Sequence, residues 1–187
     1  MALIRTGISP ALLIVDVQVG VMRGAWEAPR VIHNIAVAVD KARKAGVPVI
    51  WVQHADDELV HGSPDWQLPP ELAPAADETR IEKQYNSAFE ETNLDETLAA
   101  LGVAHVVLAG AATNWCIRAT AYGALERGYD LTLISDAHTT GTIDLENGAT
   151  IDAADIIREL NIGMTWVSYP GRANGTASAA EVDFAVP

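Results

Sequence analysis

Residues 105–135 read HVVLAGAATNWCIRATAYGALERGYDLTLIS. Two short apolar runs, 105–109 (HVVLA) and 131–135 (LTLIS), flank a helix-like stretch, 115–127, that stops at Gly128. Continuous apolar runs, rather than a strict alternation, fit strands buried on both faces. A strand, a helix and a second strand in this order imply parallel pairing through a right-handed crossover. The pattern extends outward. Residues 11–17 (ALLIVDV), 47–53 (VPVIWVQ) and 164–168 (MTWVS) read as further strands, and 80–83 (RIEK) as a weaker one. Residues 29–45 place Val31, Ile35, Val39 and Ala42 at helical spacing before Gly46. Residues 93–101 carry Asp95 and Glu96 in their first turn and stop at Gly102; residues 152–160 form the last helical candidate. The class is α/β, a parallel sheet with helices on both faces in three layers.

The 187 residues suffice for one domain whose core needs no staples. Hydrophobic residues at 49% and charged residues at 20% exclude wholesale disorder. Twelve Lys and Arg against 25 Asp and Glu leave a net charge of −13. Such a surface repels phosphate backbones and anionic lipid, so the expected partners include neither nucleic acid nor membrane. Cys116 is the single cysteine, which rules out an intrachain disulfide and a Cys-rich zinc site. Residues 1–5 open no apolar leader, and no run approaches the roughly 20 apolar residues that cross a bilayer; the expected location is cytoplasmic. Residues 55–77 hold Pro64, Pro69, Pro70 and Pro74 in a long irregular segment, of the kind that is functional or disordered. Residues 171–187 (GRANGTASAAEVDFAVP) read as a tail after a domain at 1–170, either mobile or packed on another subunit.

Ligands of open parallel sheets bind past the carboxyl ends of the strands. No G-x-G-x-x-G follows the first strand, so the dinucleotide-binding reading falls away. Asp16 ends an apolar run, where desolvation raises a carboxylate toward the range of a general base; a strand-end carboxylate capping a loop is the less favoured alternative. Cys116 opens the helix after a strand. There the helix dipole lowers a thiol pKa, and free N–H groups offer an oxyanion hole; a buried structural cysteine is the other reading. Lys83 ends the weak strand candidate, either paired with Asp16 or solvated beside Glu82.

Together, LLIVDVQ (12–18), IEKQYNSAF (81–89), GAATNWCIRATAYGALERGYD (110–130) and LTLISDAHTT (131–140) resemble the isochorismatase-like cysteine hydrolases over residues 11–168. The resemblance implies a doubly wound, mainly parallel sheet of six strands. It implies a catalytic triad of Asp16, Lys83 and Cys116, with the N–H of Ala112, after a cis peptide from Ala111, joining that of Cys116 in the oxyanion hole. The expected activity is hydrolysis of a small-molecule C–N bond, amide or carbamoyl, through a thioester, without a cofactor. Nicotinamidases of the family carry an Asp-x-His metal pair; the corresponding WVQHADDELVH offers His54, Asp56, Asp57 and His61 but no such pair. A His54–Asp56 ion site stays open beside a plain polar loop, and no metal is expected. A retained thiol favours C–N hydrolysis over vinyl-ether hydrolysis of the isochorismatase type. A non-catalytic binder on the same fold is the third reading. Trp26, His54, Trp66, Tyr85 and Trp115 are the candidate substrate contacts, with core-edge or interface cover as their alternative role. His138 and Asn114 read as hydrogen-bonding and capping residues. Relatives in the family form dimers or tetramers, so a homo-oligomer is expected.

Overall fold

The computed structural model describes residues 5–184. In chain order it forms β1 (Ser9–Val15), a short helix α1 (Val19–Met22), α2 (Ala28–Lys44), β2 (Val49–His54), β3 (Thr79–Lys83), α3 (Leu94–Ala100) and β4 (Val103–Ala111). A five-residue π-helical turn (Thr113–Ile117) leads into α4 (Arg118–Glu126) and β5 (Asp130–Thr139). A small hairpin of β6 (Ile143–Asp144) and β7 (Thr150–Ile151), then α5 (Ala153–Trp166) and β8 (Asn174–Ala177), complete the fold. The main sheet runs β3-β2-β1-β4-β5-β8, every pair parallel. Chain order reverses between β1 and β4, which makes the carboxyl ends of these two strands the switch point of a doubly wound sheet.

The alternation along β1 shows how both faces are filled. Leu13 and Val15 pack in one core with Leu94 and Leu98 of α3, Ala121 and Leu125 of α4, and Leu160 and Met164 of α5. Leu12 and Ile14 point the other way, toward Val31, Ile35, Ala38 and Val39 of α2. At the switch point β1 and β4 approach so closely that position 110 admits no side chain. Gly110 has φ 131, and a Cβ there would lie 2.0 Å from the Val15 carbonyl oxygen.

Two expectations change. Residues 164–168 are not a strand: Ile156, Ile157, Leu160 and Met164 continue one buried helical face, so α5 runs to Trp166. The sixth strand is β8, whose NGTA sequence carries no apolar run because its side chains are only half-buried at the sheet edge. Residues 171–187, read as a tail, therefore supply an edge strand, and Ala179, Val182 and Phe184 cover the α2 face. Residues 1–4 of the leader reading and 185–187 of the tail reading lie outside the described residues.

Candidate active site

Asp16 follows β1 in a left-handed conformation, φ 53, which few residues other than glycine adopt and which Asp tolerates. Its N–H donates to the Val52 carbonyl at 2.8 Å, and the residue is only 2% exposed. Lys83 ends β3, two strands away, and is equally buried. Cys116 sits in the π turn after β4, half-buried. Sheet order therefore carries three residues distant in sequence to one end of the sheet, where Lys83 Nζ lies 2.6 Å from Asp16 Oδ2 and 3.3 Å from Cys116 Sγ.

The Lys83 ammonium has three N–H bonds. They serve the Tyr85 carbonyl (3.1 Å), Cys116 Sγ (3.3 Å) and His54 Nδ1 (3.4 Å). Its approach to Asp16 is a buried ion pair, and both Lys83 and the Cys116 thiol act on the Asp16 carboxylate. Burial pushes the Asp16 carboxyl above the usual range, while the Lys83 charge holds it down in part. A carboxylate raised by burial is a stronger base than a solvated one. Burial, and then the Asp16 charge, push the Cys116 thiol up to about 12, with Lys83 opposing. This differs from the helix-dipole expectation of a lowered thiol pKa. The cysteine lies in the π turn that opens the helix continuing as α4, yet desolvation and the Asp16 charge set the direction of its shift. The resting sulfur is a thiol, so attack requires a base to take its proton.

The peptide between Ala111 and Ala112 is cis, and the Ala112 carbonyl accepts from the N–H groups of Trp115 (3.0 Å) and Ile117 (3.1 Å), closing the turn. The candidate substrate contacts divide. His54 touches Lys83 through Nδ1 and therefore donates from Nε2 to Asp56 Oδ2 at 2.9 Å. The Tyr85 carbonyl accepts from Lys83 while its ring is exposed, and Trp115, next to Cys116, is 57% exposed. These three adjoin the trio. The Trp66 carbonyl is held by Gln18 (3.1 Å) and Gln53 (3.0 Å), and its ring lies tilted against His61 with centroids 4.3 Å apart. Trp26 is tied to the end of β5 through Thr139 and Thr140 and lines a separate cavity with Asp136 and Asn161. Among the described residues no hydrogen bond, ion pair or ring contact joins either tryptophan directly to the trio. Asp56 and His54 pair with each other, His61 pairs with Glu82, and no three His, Cys, Asp or Glu side chains converge as a metal ion requires among the described residues.

Residues not singled out in the sequence hold this arrangement together. The Gln18 carboxamide donates to the carbonyl of His54 (2.9 Å) and accepts from the His54 N–H (2.9 Å), fastening the ends of β1 and β2. Its position two residues after Asp16 is the only sequence signal it gives.

Comparison with known proteins places these features. An Isochorismatase domain model matches residues 10–160. The chain is 33% identical over 154 residues to a streptothricin hydrolase of Streptomyces noursei, an alignment covering 77% of this chain and 60% of that protein. A second streptothricin hydrolase of that organism is 34% identical, with 49% of its length spanned. A maleamate amidohydrolase of Pseudomonas putida is 30% identical over 189 residues, 82% of this chain and 88% of that one. Among solved structures, an isochorismatase from Pseudomonas putida KT2440 superposes with a TM-score of 0.82 at 30% identity, covering 92% of this chain and 89% of the other.

Proposed function

The chain belongs to the isochorismatase family, and we propose that within it this protein is a cysteine-dependent hydrolase of a small-molecule amide or carbamoyl C–N bond. The observation that carries the reading is Lys83 Nζ lying 2.6 Å from Asp16 and 3.3 Å from Cys116 Sγ in a buried cluster at the switch point. In this reading Asp16 takes the thiol proton as Cys116 Sγ bonds to the substrate carbonyl carbon. The N–H groups of Ala112 and Cys116 receive the oxyanion. The C–N bond breaks, and Asp16 returns the proton to the leaving nitrogen. Water then attacks the thioester, again giving a proton to Asp16; the acid departs and Cys116 regains its proton. Lys83 opposes the rise that burial imposes on the Asp16 carboxyl, and lowers the cost of developing thiolate charge. The names of the similar proteins, a streptothricin hydrolase and a maleamate amidohydrolase, support C–N chemistry. Cytoplasmic location and assembly into a dimer or tetramer belong to the same proposal.

A hydrolysis screen over small amides, carbamoyl compounds and vinyl ethers tests it. Cys116→Ala should reduce amide turnover by more than about 10⁴-fold while leaving the circular-dichroism spectrum intact. Vinyl-ether cleavage that survives Cys116→Ala and is lost in Asp16→Asn would replace this reading with the isochorismatase-type reaction. Tight binding without product would replace it with a binder.

A further inference from the structure

His138 is 1% exposed and belongs to no part of the reaction assigned above. It lies near the carboxyl end of β5, level with Gly110 of β4, beyond an irregularity that breaks the register after Leu108 and Leu133. Both ring nitrogens are engaged. Nδ1 is 2.9 Å from Thr113 Oγ1, and Nε2 is 3.0 Å from Asn161 Oδ1 of α5. The chain of donors has one direction. Asn161 Nδ2 donates to the Ser135 carbonyl at 2.9 Å, so Asn161 Oδ1 accepts from His138 Nε2–H. His138 Nδ1 is then the acceptor, and the Thr113 hydroxyl donates to it. Burial holds the imidazole down to about 4, so the ring stays neutral and this pattern persists at neutral pH. Asp136 is the charged group acting on it; Thr113 and Asn161 are uncharged.

Thr113 opens the π turn that carries Cys116, directly after Ala112. The next residue is held from the same strand end, where the Thr140 hydroxyl donates to Asn114 Oδ1 at 2.6 Å. The orientation of the Ala112 and Cys116 N–H groups is set by the backbone of this short turn. The trailing end of the π turn is continued by α4, but its leading end at Thr113 follows β4 with no helix before it, so the conformation there depends on outside ties. We infer that His138 is a positioning residue: the Asn161–His138–Thr113 relay fixes the nucleophile turn so that its N–H groups face the oxyanion. The inference rests on the hydrolase reading above and deepens it. Donors misplaced by a fraction of an ångström lose their effect on a transition state while the sulfur beside them keeps its reactivity.

Two reagents separate these effects. p-Nitrophenyl acetate acylates the sulfur: a C–S bond forms at the ester carbonyl, p-nitrophenolate leaves with the electron pair, and the thiol proton passes to Asp16. The carbonyl oxygen becomes an oxyanion on the way. Iodoacetamide alkylates the same sulfur at a CH₂ group, expelling iodide with no oxyanion, the thiol proton again passing to a base. Both rates are measured on the purified protein at pH 8 for wild type, Thr113→Val, Thr113→Ser and His138→Gln, with the adduct located by peptide mass. Thr113→Val and His138→Gln should slow acylation about 10- to 100-fold and leave alkylation unchanged. Thr113→Ser, which keeps the hydroxyl, should restore acylation. Equal losses with both reagents mean a structural role only and overturn the inference, as does full acylation in Thr113→Val. If His138→Gln does not fold, the two Thr113 variants decide alone. Wild-type Cys116 that is alkylated but never acylated overturns the hydrolase reading itself, and the relay with it.

Discussion

At the scale of the residue, Cys116 is not a ready-made thiolate. Burial and the Asp16 charge both raise its pKa, and Lys83 offsets only part of this. Asp16 therefore has two opposite effects on the sulfur: as a base it assists attack, and as a neighbouring anion it opposes ionisation. Asp16→Asn separates them. The variant should lose about 10²- to 10⁴-fold in amide turnover, the usual contribution of a general base. Its thiol pKa should fall, because a neutral amide no longer opposes thiolate and Lys83 loses its anionic competitor. Alkylation by iodoacetamide between about pH 8 and 10 should then be faster than in wild type, about tenfold per unit of fall in the pKa. A pH–rate series on both proteins checks this; slower alkylation in the variant would show that the help of Asp16 as a base outweighs the effect of its charge on the sulfur. Asp16 and Cys116 are conspicuous in the sequence because one ends an apolar run and the other follows one; Lys83, after RIE, is not, and only the family resemblance sets it beside them. Gln18 and His138 are not legible. Their partners, His54 and Trp66 for the first and Thr113 and Asn161 for the second, are joined to them by the sheet order and not by any local pattern.

At the scale of the element, apolar runs and glycine stops mark β1, β2, β4, β5 and α2 to within a few residues, because burial on two faces leaves a dense signal. Strand β8 is missed for the converse reason. Its stability comes from backbone pairing with β5 and from Asn174, whose side chain donates to the carbonyls of Met164 (2.7 Å) and Val167 (2.9 Å) at the end of α5. The irregular segment before β3 is fastened by one side chain at its end. Glu78 accepts from Trp51 Nε1 (2.7 Å), the Ala75 N–H (2.8 Å) and both Nε (2.7 Å) and Nη2 (2.9 Å) of Arg43 on α2. Burial pushes this carboxyl up, but Arg43, Trp51 and Ala75 together bring it below its ordinary value of 4.5. A carboxyl with a depressed folded pKa stabilises the fold fully above its unfolded pKa, and the contribution is lost as pH falls through the lower folded value. Glu78→Gln should therefore cost about 1.5–3 kcal/mol at pH 7. The gap between variant and wild type should narrow below about pH 4 as wild-type Glu78 protonates. Urea unfolding at pH 7 and at low pH measures both; a gap that stays constant with pH would remove ionised Glu78 from the explanation.

At the scale of the whole molecule, the excess of acidic groups and the site pull in different directions. The parallel sheet needs no charge: its two cores are apolar, and Asp16 and Lys83 neutralise each other within it. Apart from the buried Asp130, the net charge of −13 is therefore carried by the surface. There Arg23–Asp65, Arg30–Glu27, Arg118–Glu159 and Arg158–Asp155 are ion pairs with partners largely open to water, each worth about 0–1 kcal/mol. Salt acts on both contributions. It weakens these pairs slightly, and it screens the repulsion among 13 excess negative charges, which extends over many more distances. Raising ionic strength from about 0.01 M to 0.15 M shortens the screening length from about 30 Å to 8 Å, from the span of a small domain to that of neighbouring side chains. Repulsion across the molecule is then suppressed while contacts at hydrogen-bond distance largely persist. The folded state, which crowds these charges together, gains more from screening than the expanded chain does. The urea midpoint at pH 7 should rise as NaCl is added over this range, and the rise should shrink near pH 4.5, where fewer carboxylates are ionised. A midpoint that falls with salt at pH 7 would mean that the exposed pairs outweigh the net charge.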